Sequence, residues 1–202
     1  QGIGVVGVPG TIDLDISCTE YTIGFDTAVN IAVEAIDRIA DTSEAHSCFS
    51  VIEVMGRRAG FIALWSGIAG SARAIFADSN TTAEQIVAHL RKYHFTSGTI
   101  VLAEGAGKAE PMAEIIEREL HVHTRANVLA FIQRGGNPTA KDRVYGSMMG
   151  AYAVDLIKEG KNHHLVCVKR DELCGVEISE GMKQTKECSA YLAHLGETLS
   201  CI

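Results

Sequence analysis

Val6-Gly7-Val8-Pro9-Gly10-Thr11-Ile12-Asp13-Leu14-Asp15 is the stretch from which the rest of this chain is read. Residues 3–8 form a short apolar run of β-branched side chains and small glycines, the pattern of a central strand covered on both faces. Pro9-Gly10 stops the run, because proline cannot donate to a sheet ladder and glycine tolerates the φ values of a tight turn. A hydroxyl, Thr11, and two carboxylates, Asp13 and Asp15, follow at once. Open α/β sheets bind ligands at the carboxyl ends of their strands, which puts chemistry within reach of this turn. Spacing alone leaves two readings open, a ligand site or an Asp-rich turn capping the next helix. The two carboxylates face the same way only if the backbone between them stays extended.

Beyond this turn, strands and helices alternate. Residues 24–41 carry Phe25, Ala28, Val29, Ala32, Val33, Ala35, Ile36 and Ile39 at steps of three and four, which predicts an amphipathic helix ending at Asp41-Thr42-Ser43. Residues 49–55 read as a strand closing at Gly56-Arg57-Arg58, residues 59–72 as a small-residue helix, and residues 74–77 as a brief strand. Asn80-Thr81-Thr82-Ala83-Glu84 predicts a helix start, with a helix to about Tyr93. Residues 99–103 are an apolar strand ending at Glu104-Gly105, an acid again at a strand's carboxyl end. A helix over 111–120, an extended run over 121–132, a helix over 142–158 and a strand over 165–168 complete the pattern, with the tail from 181 helical in part. Such alternation indicates an α/β fold with a parallel sheet and crossover helices.

The 202 residues suffice for one large domain or two small ones, and 47% hydrophobic with 21% charged residues is an ordinary globular composition. A net charge of −7 argues against non-specific nucleic-acid binding, so an anionic ligand needs local arginines. No apolar run reaches the roughly 18 residues of a membrane span and no signal peptide opens the chain, which leads us to expect no membrane partner. Cys18, Cys48, Cys167, Cys174, Cys188 and Cys201 form no CxxC and no dense disulfide spacing, as expected of reduced thiols in a cytoplasmic protein. Residues 2–7 match GxGxxG literally, but the glycines lie inside an apolar run that Pro9-Gly10 follows, rather than between a strand and a helix N-terminus. His121 and His123 at i, i+2 could share a strand face toward a metal, although no third ligand accompanies them and a surface pair is the simpler reading.

Three stretches carry a resemblance: Pro9-Gly10-Thr11-Ile12-Asp13-x-Asp15 with Tyr21-Thr22-Ile23-Gly24-Phe25; Val51-Ile52-Glu53-Val54-Met55-Gly56-Arg57; and Ile132-Gln133-Arg134-Gly135-Gly136-Asn137-Pro138. In order and spacing they resemble the 6-phosphofructokinases over nearly the whole chain. The resemblance implies a two-lobed fold with mainly parallel sheets flanked by helices. Residues 1–24 and 133–183 then fall to the nucleotide-side lobe, and residues 25–132 with 184–202 to the sugar-phosphate-side lobe. It also implies a fragment lacking about the N-terminal third, where the glycine-rich nucleotide loops and an acidic magnesium ligand lie. Such a piece is expected to be inactive alone.

The implied activity is transfer of a phosphoryl group from ATP, with Mg2+, to the 1-hydroxyl of fructose 6-phosphate. Phosphoryl transfer requires positioning, charge neutralisation and a proton acceptor from a protein. By resemblance Asp13 is that acceptor, Asp15 orders the site and its metal, Thr11 hydrogen-bonds the phosphoryl group, and Arg57 stabilises its charge. Met55, Gly56 and Glu104 would line the sugar pocket, while Arg125 and Arg134 would hold the sugar's own phosphate, Arg125 for an adjacent subunit. Gly10 stands where pyrophosphate-using members carry lysine, which favours ATP. A homotetramer under allosteric control is also implied, although residues 91–98 show little of a basic activator site.

Three positions depart from the family. Leu14 replaces the usual Asn, Cys48 an arginine that reaches the sugar phosphate, and Phe131 a histidine that touches it. At about 1.5–3 kcal/mol per charge-assisted contact, losing both would exceed a hundredfold in affinity. Those departures keep two alternatives open: a weakly active or non-catalytic regulatory or binding subunit, and a pyrophosphate-dependent paralogue.

Overall fold

A hydrophobic period that switches from two to three or four along the chain builds β1 (Val6–Gly7), β2 (Gly10–Thr11), β3 (Ile23–Gly24), α1 (Phe25–Ala45), β4 (Phe49–Val54), α2 (Phe61–Ala69), β5 (Ala74–Phe76), α3 (Ala83–Lys92), β6 (Gly98–Ala103), α4 (Ala109–Leu120) and β7 (Thr124–Val128). A 3-10 turn (Ala130–Arg134) leads to α5 (Ala140–Lys158), β8 (His164–Lys169), β9 (Glu172–Glu177), α6 (Ile178–Gly181) and α7 (Ala190–Leu199). The structure, a computed structural model, describes residues 3–78, 81–183, 186 and 188–200. Gly2 of the GxGxxG match, Asn80 of the expected helix start, and Gln184, Thr185, Glu187, Cys201 and Ile202 of the tail lie outside the described residues. The chain divides into two compact units, residues 1–27 with 137–187 and residues 28–136 with 188–202.

The second unit holds a four-stranded sheet in the order β5-β6-β4-β7, every pair parallel. All residues of β4 and β6 are buried, which is why they read as continuous apolar runs rather than alternating ones. Phe49, Val51, Ile100 and Leu102 pack with Ile86 and Leu90 of α3 and with Met112 and Ile116 of α4. A capping box opens α3: Thr82 accepts from Gln85 N–H while the Gln85 side chain accepts from Thr82 N–H.

Two expectations in this unit need correction. Helix α1 does not stop at 41, because the Thr42 and Ser43 hydroxyls bond back to the carbonyls of Arg38 and Ile39, satisfying themselves within the helix. The extended run expected over 121–132 is extended only as β7; Ala130 takes a φ of 45° and the chain tightens into the 3-10 turn.

The first unit holds a three-stranded sheet in the order β1-β8-β9 and a separate parallel pair, β2 with β3. In that pair Gly10 stands opposite Ile23 and Thr11 opposite Gly24. Tyr21, Met149, Leu156, Val166 and Val168 form its core. Among the described residues, the run 3–8 stands at a sheet edge: only Val6–Gly7 pairs, parallel to β8, and Ile3 is 73% exposed. With one neighbouring strand among the described residues, the flanking apolar side chains are uncovered. β9, too polar to stand out as a strand in the sequence, returns antiparallel to β8 through Arg170 and Asp171, whose φ values of 52° and 63° are those of a type I′ turn. On α5, Met149 and Leu156 face the core while Val144, Met148, Val154 and Ile157 are exposed. Among the described residues no helix is long and apolar enough to cross a membrane.

Candidate active site

In the first unit, the turn after β2 is organised by its own polar groups. Asp13 N–H donates to Thr11 Oγ1 at 3.2 Å, and the Thr11 carbonyl accepts from Thr22 Oγ1 at 2.7 Å. Asp13 is buried and Asp15 half-buried. Leu14 separates them with a φ of 56°, so the extended backbone that would turn both carboxylates one way is absent. A left-handed Leu costs about 1–2 kcal/mol, and its nearly complete burial, worth about 2 kcal/mol, offsets this. Asn adopts that conformation more easily, which gives the usual residue there a physical reason. A side chain at Gly10 would meet no atom within 4 Å among the described residues, so packing does not demand glycine.

Asp142 holds the segment that follows this turn. Its Oδ1 accepts from Tyr21 OH at 2.5 Å and Gly24 N–H at 2.8 Å, and its Oδ2 accepts from Thr27 N–H at 2.9 Å and from the Thr27 hydroxyl. The carboxylate thus caps the start of α1 from the first turn of α5, a position prepared by the Thr139 hydroxyl, which accepts from Asp142 N–H. Burial pushes the Asp142 carboxyl up, but the hydrogen bonds from Gly24, Thr27 and Tyr21 prevail and leave it below its ordinary value. Burial and the same carboxylate push the Tyr21 phenol well up.

In the second unit, three successive amides of the turn after β4 are taken by side chains. Met55 N–H donates to Gln133 Oε1 at 2.8 Å, Gly56 N–H to Glu104 Oε1 at 3.1 Å, and Arg57 N–H to the same oxygen at 2.8 Å. Gly56 takes a φ of 131° and Arg57 one of 50°, so the turn is strained where Arg57 departs, and Glu104 supplies the acceptor that holds it. A Cβ on Gly105 would lie 2.2 Å from the Arg57 carbonyl oxygen, which makes glycine obligatory beside that turn. Gln133 is 1% exposed and its Nε2 is buried without a hydrogen-bond partner among the described residues. Glu53, two residues before Met55, is structural, since it accepts from Ala109 N–H at 2.9 Å and Lys108 Nζ at 2.6 Å at the start of α4. Its hydrogen bond raises the Lys108 pKa.

The structure therefore brings Met55, Gly56, Arg57 and Glu104 together, with Gln133 tying in the 3-10 turn that ends at Arg134. Arg134 lies over the Phe131 ring at 5.9 Å, and Phe131 is 77% exposed. Arg125 is apart from this group: on β7 it pairs in register with Ser50, and five residues of strand, at about 3.3 Å each, separate that position from Met55. Its Nε donates to His123 Nε2 at 3.3 Å, and His123 Nδ1 meets Glu117 at 3.2 Å. His121 does not share a strand with His123; it closes α4 in the left-handed region. Cys48 is buried at the foot of β4. No group of three His, Cys, Asp or Glu residues suited to a metal occurs among the described residues.

Sequence patterns do not single out Gln133, Gly105 or Asp142 as functional. Gln133 stands inside the Ile132-Gln133-Arg134 motif, and Thr139-x-x-Asp142 carries the spacing of a helix start, but their partners lie 78 and 121 residues away.

A family model described as Phosphofructokinase matches residues 1–157. The chain is 45% identical to the ATP-dependent 6-phosphofructokinase of Brevibacillus brevis over 205 residues, covering 99% of this chain and 64% of the relative. With the enzyme of that name from Bacillus subtilis it shares 43% over 204 residues, with the same coverage. The chain thus spans 64% of the length of these curated relatives. Among solved structures, phosphofructokinase from Saccharomyces cerevisiae superposes with a TM-score of 0.81 at 28% identity, over 98% of this chain and 27% of that one. The pyrophosphate-dependent phosphofructokinase from Marinobacter aquaeolei gives 0.75 at 26%, over 94% and 55%.

Proposed function

The chain belongs to the phosphofructokinase family, and from that premise we propose that the protein transfers the terminal phosphoryl group of ATP to the 1-hydroxyl of fructose 6-phosphate. The observation that carries this reading is identity of 45% over 99% of the chain with a relative named ATP-dependent. Gly10 supports the donor by resemblance, since pyrophosphate-using members carry lysine at that place.

Asp13 takes the proton of the sugar hydroxyl as the bond to phosphorus forms, a role open to a carboxylate because the proton leaves late. Thr11 donates its hydroxyl to the moving phosphoryl group. Arg57 offers a planar fork of donors to the charge that spreads over its oxygens, and Glu104 and Gln133 fix the turn from which that arginine departs. Met55, Gly56 and Glu104 line the sugar subsite, and Arg134 takes the sugar phosphate. Arg125, distant from Met55 along the sheet, serves the corresponding site of a neighbouring subunit. Mg2+ is held in such sites by one or two carboxylates together with substrate phosphates; Asp15, half-buried beside the turn, would be the carboxylate this chain offers, and the ion would neutralise charge on the donor phosphates. Residues 1–24 with 133–183 are assigned to the nucleotide side and residues 25–132 with 184–202 to the sugar side, in an allosterically controlled cytoplasmic homotetramer.

A regulatory or sugar-binding subunit is the second reading, favoured by Cys48, buried, and Phe131, apolar, where the family places an arginine and a histidine. A coupled assay for fructose 1,6-bisphosphate on the full-length protein separates the two. Turnover with Mg-ATP and little with pyrophosphate supports the kinase; no turnover with either donor on folded protein overturns it.

A further inference from the structure

The residues just beyond Asp15 are laced to β8. Glu20 N–H donates to the Val168 carbonyl at 2.8 Å, Val168 N–H donates to Thr19 Oγ1 at 2.9 Å, and Arg170 N–H donates to Glu20 Oε2 at 2.8 Å. On the other side, Ser17 Oγ donates to the Gly181 carbonyl at 2.9 Å. This lacing leaves Cys18 Sγ only 3.4 Å from Cys167 Sγ, although 149 positions separate them in sequence. Gly181 walls Cys18 in, since a Cβ there would come 2.7 Å from its sulfur. Cys167 is buried in the middle strand of its sheet, opposite Cys174 in register, whereas Cys18 is half-buried and open to a small oxidant.

We propose that Cys18 and Cys167 form a dithiol–disulfide site, closed by a peroxide. Cys18 thiolate attacks the peroxide O–O bond and becomes the sulfenic acid, releasing hydroxide, which takes up a proton as water. The Cys167 sulfur then attacks Cys18 Sγ, its proton leaves with the sulfenic oxygen as a second water, and the S–S bond forms. Two thiols give up two electrons and one peroxide accepts them. This order follows from access, and burial, which raises the Cys167 pKa, keeps that thiol from reacting first.

A disulfide needs about 2.05 Å between sulfurs, so the two must close by about 1.4 Å from 3.4 Å. Cys167 is held by a ladder to β9 on one side, with β1 pairing β8 on the other, so the movement falls on the segment carrying Cys18, three residues after Asp15. Oxidation therefore lowers turnover, a consequence that rests on the proposed function while the disulfide itself does not.

The test is peroxide treatment of the full-length protein, non-reducing peptide mapping by mass spectrometry, and turnover on the same samples. The expected result is a Cys18–Cys167 cross-link that dithiothreitol removes, absent in Cys18→Ser, retained in Cys174→Ser, with turnover that falls and recovers alongside it. Sulfinic or sulfonic Cys18 without a cross-link, a Cys167–Cys174 link, or loss of the link in Cys174→Ser would overturn the site. A cross-link that leaves turnover unchanged would overturn the coupling to the Asp15 segment. Absence of turnover before treatment would count against the kinase reading, and mapping would still decide the disulfide.

Discussion

Asp142→Asn keeps the shape of a buried side chain while removing its charge and one acceptor oxygen. In the native protein each carboxylate oxygen accepts one hydroxyl and one backbone N–H: Tyr21 OH with Gly24 N–H, and the Thr27 hydroxyl with Thr27 N–H. An asparagine must turn its NH2 toward one of those pairs. The hydroxyl there can rotate to accept, but the backbone N–H cannot, and an unpartnered buried donor costs about 1–3 kcal/mol. The two hydrogen bonds that remain lose the assistance of charge, about 1 kcal/mol each. The substitution should therefore destabilise its unit by about 3–5 kcal/mol, the range for breaking a buried charged network. Native-state hydrogen exchange of amides in β8 and α5, which belong to the same unit, reads this directly. Protection should fall by about 10²- to 10⁴-fold. A fall of less than about threefold would refute the assigned network. The pH dependence adds a sign. Because the folded carboxyl titrates below its ordinary value of 3.8, its contribution is complete above that value and is lost as pH falls through the folded pKa. The difference between wild type and Asp142→Asn should hold steady from pH 7 to about 5 and shrink on further acidification; a difference that widened would contradict the argument.

Gly105→Ala would drive a methyl into the Arg57 carbonyl, and because that neighbour is backbone the turn must shift. Steady-state kinetics of the full-length protein should show kcat falling by about a hundredfold, as a 1 Å misplacement does, with exchange protection in β4 and β6 close to wild type. Unchanged kcat would show that Arg57 tolerates displacement. Glu104→Gln retains an oxygen for the Gly56 and Arg57 amides and should hold kcat within about fivefold, whereas Glu104→Ala removes it and should cost about 1–3 kcal/mol of transition-state stabilisation. Equal kcat in the two variants would remove Glu104 from the role of holding the turn.

Local chemistry explains how much of this was legible. β4 and β6 stand out as apolar runs because both faces are covered, and α3 announces itself through Thr82 and Gln85. The β8–β9 hairpin was hidden because its turn uses Arg170-Asp171 rather than an Asn-Gly pair, and Glu172–Glu177 is too polar to read as a strand without its partner. Residues 3–8 show the limit of composition: an apolar run points to burial, while burial depends on neighbours that pair on both sides, and among the described residues β1 has only β8. Among the candidate residues, Asp13, Arg57 and Glu104 stand out in the sequence as polar residues near strand ends, and the resemblance alone gives them roles. The clamp on the amides of Met55, Gly56 and Arg57 was not, because side chains from β6's end and the 3-10 turn make it across long sequence separations. Leu14 illustrates a further limit, since its left-handed φ has no signature in an apolar residue.

The most direct measurement is kcat and KM of Asp13→Ser in the full-length protein, with Mg-ATP and fructose 6-phosphate. A base that acts in the transition state makes little ground-state contact, so kcat should fall by about a thousandfold while KM for the sugar phosphate stays within about threefold. A variant whose kcat remains near wild type would contradict the account and transfer the role of base to Asp15.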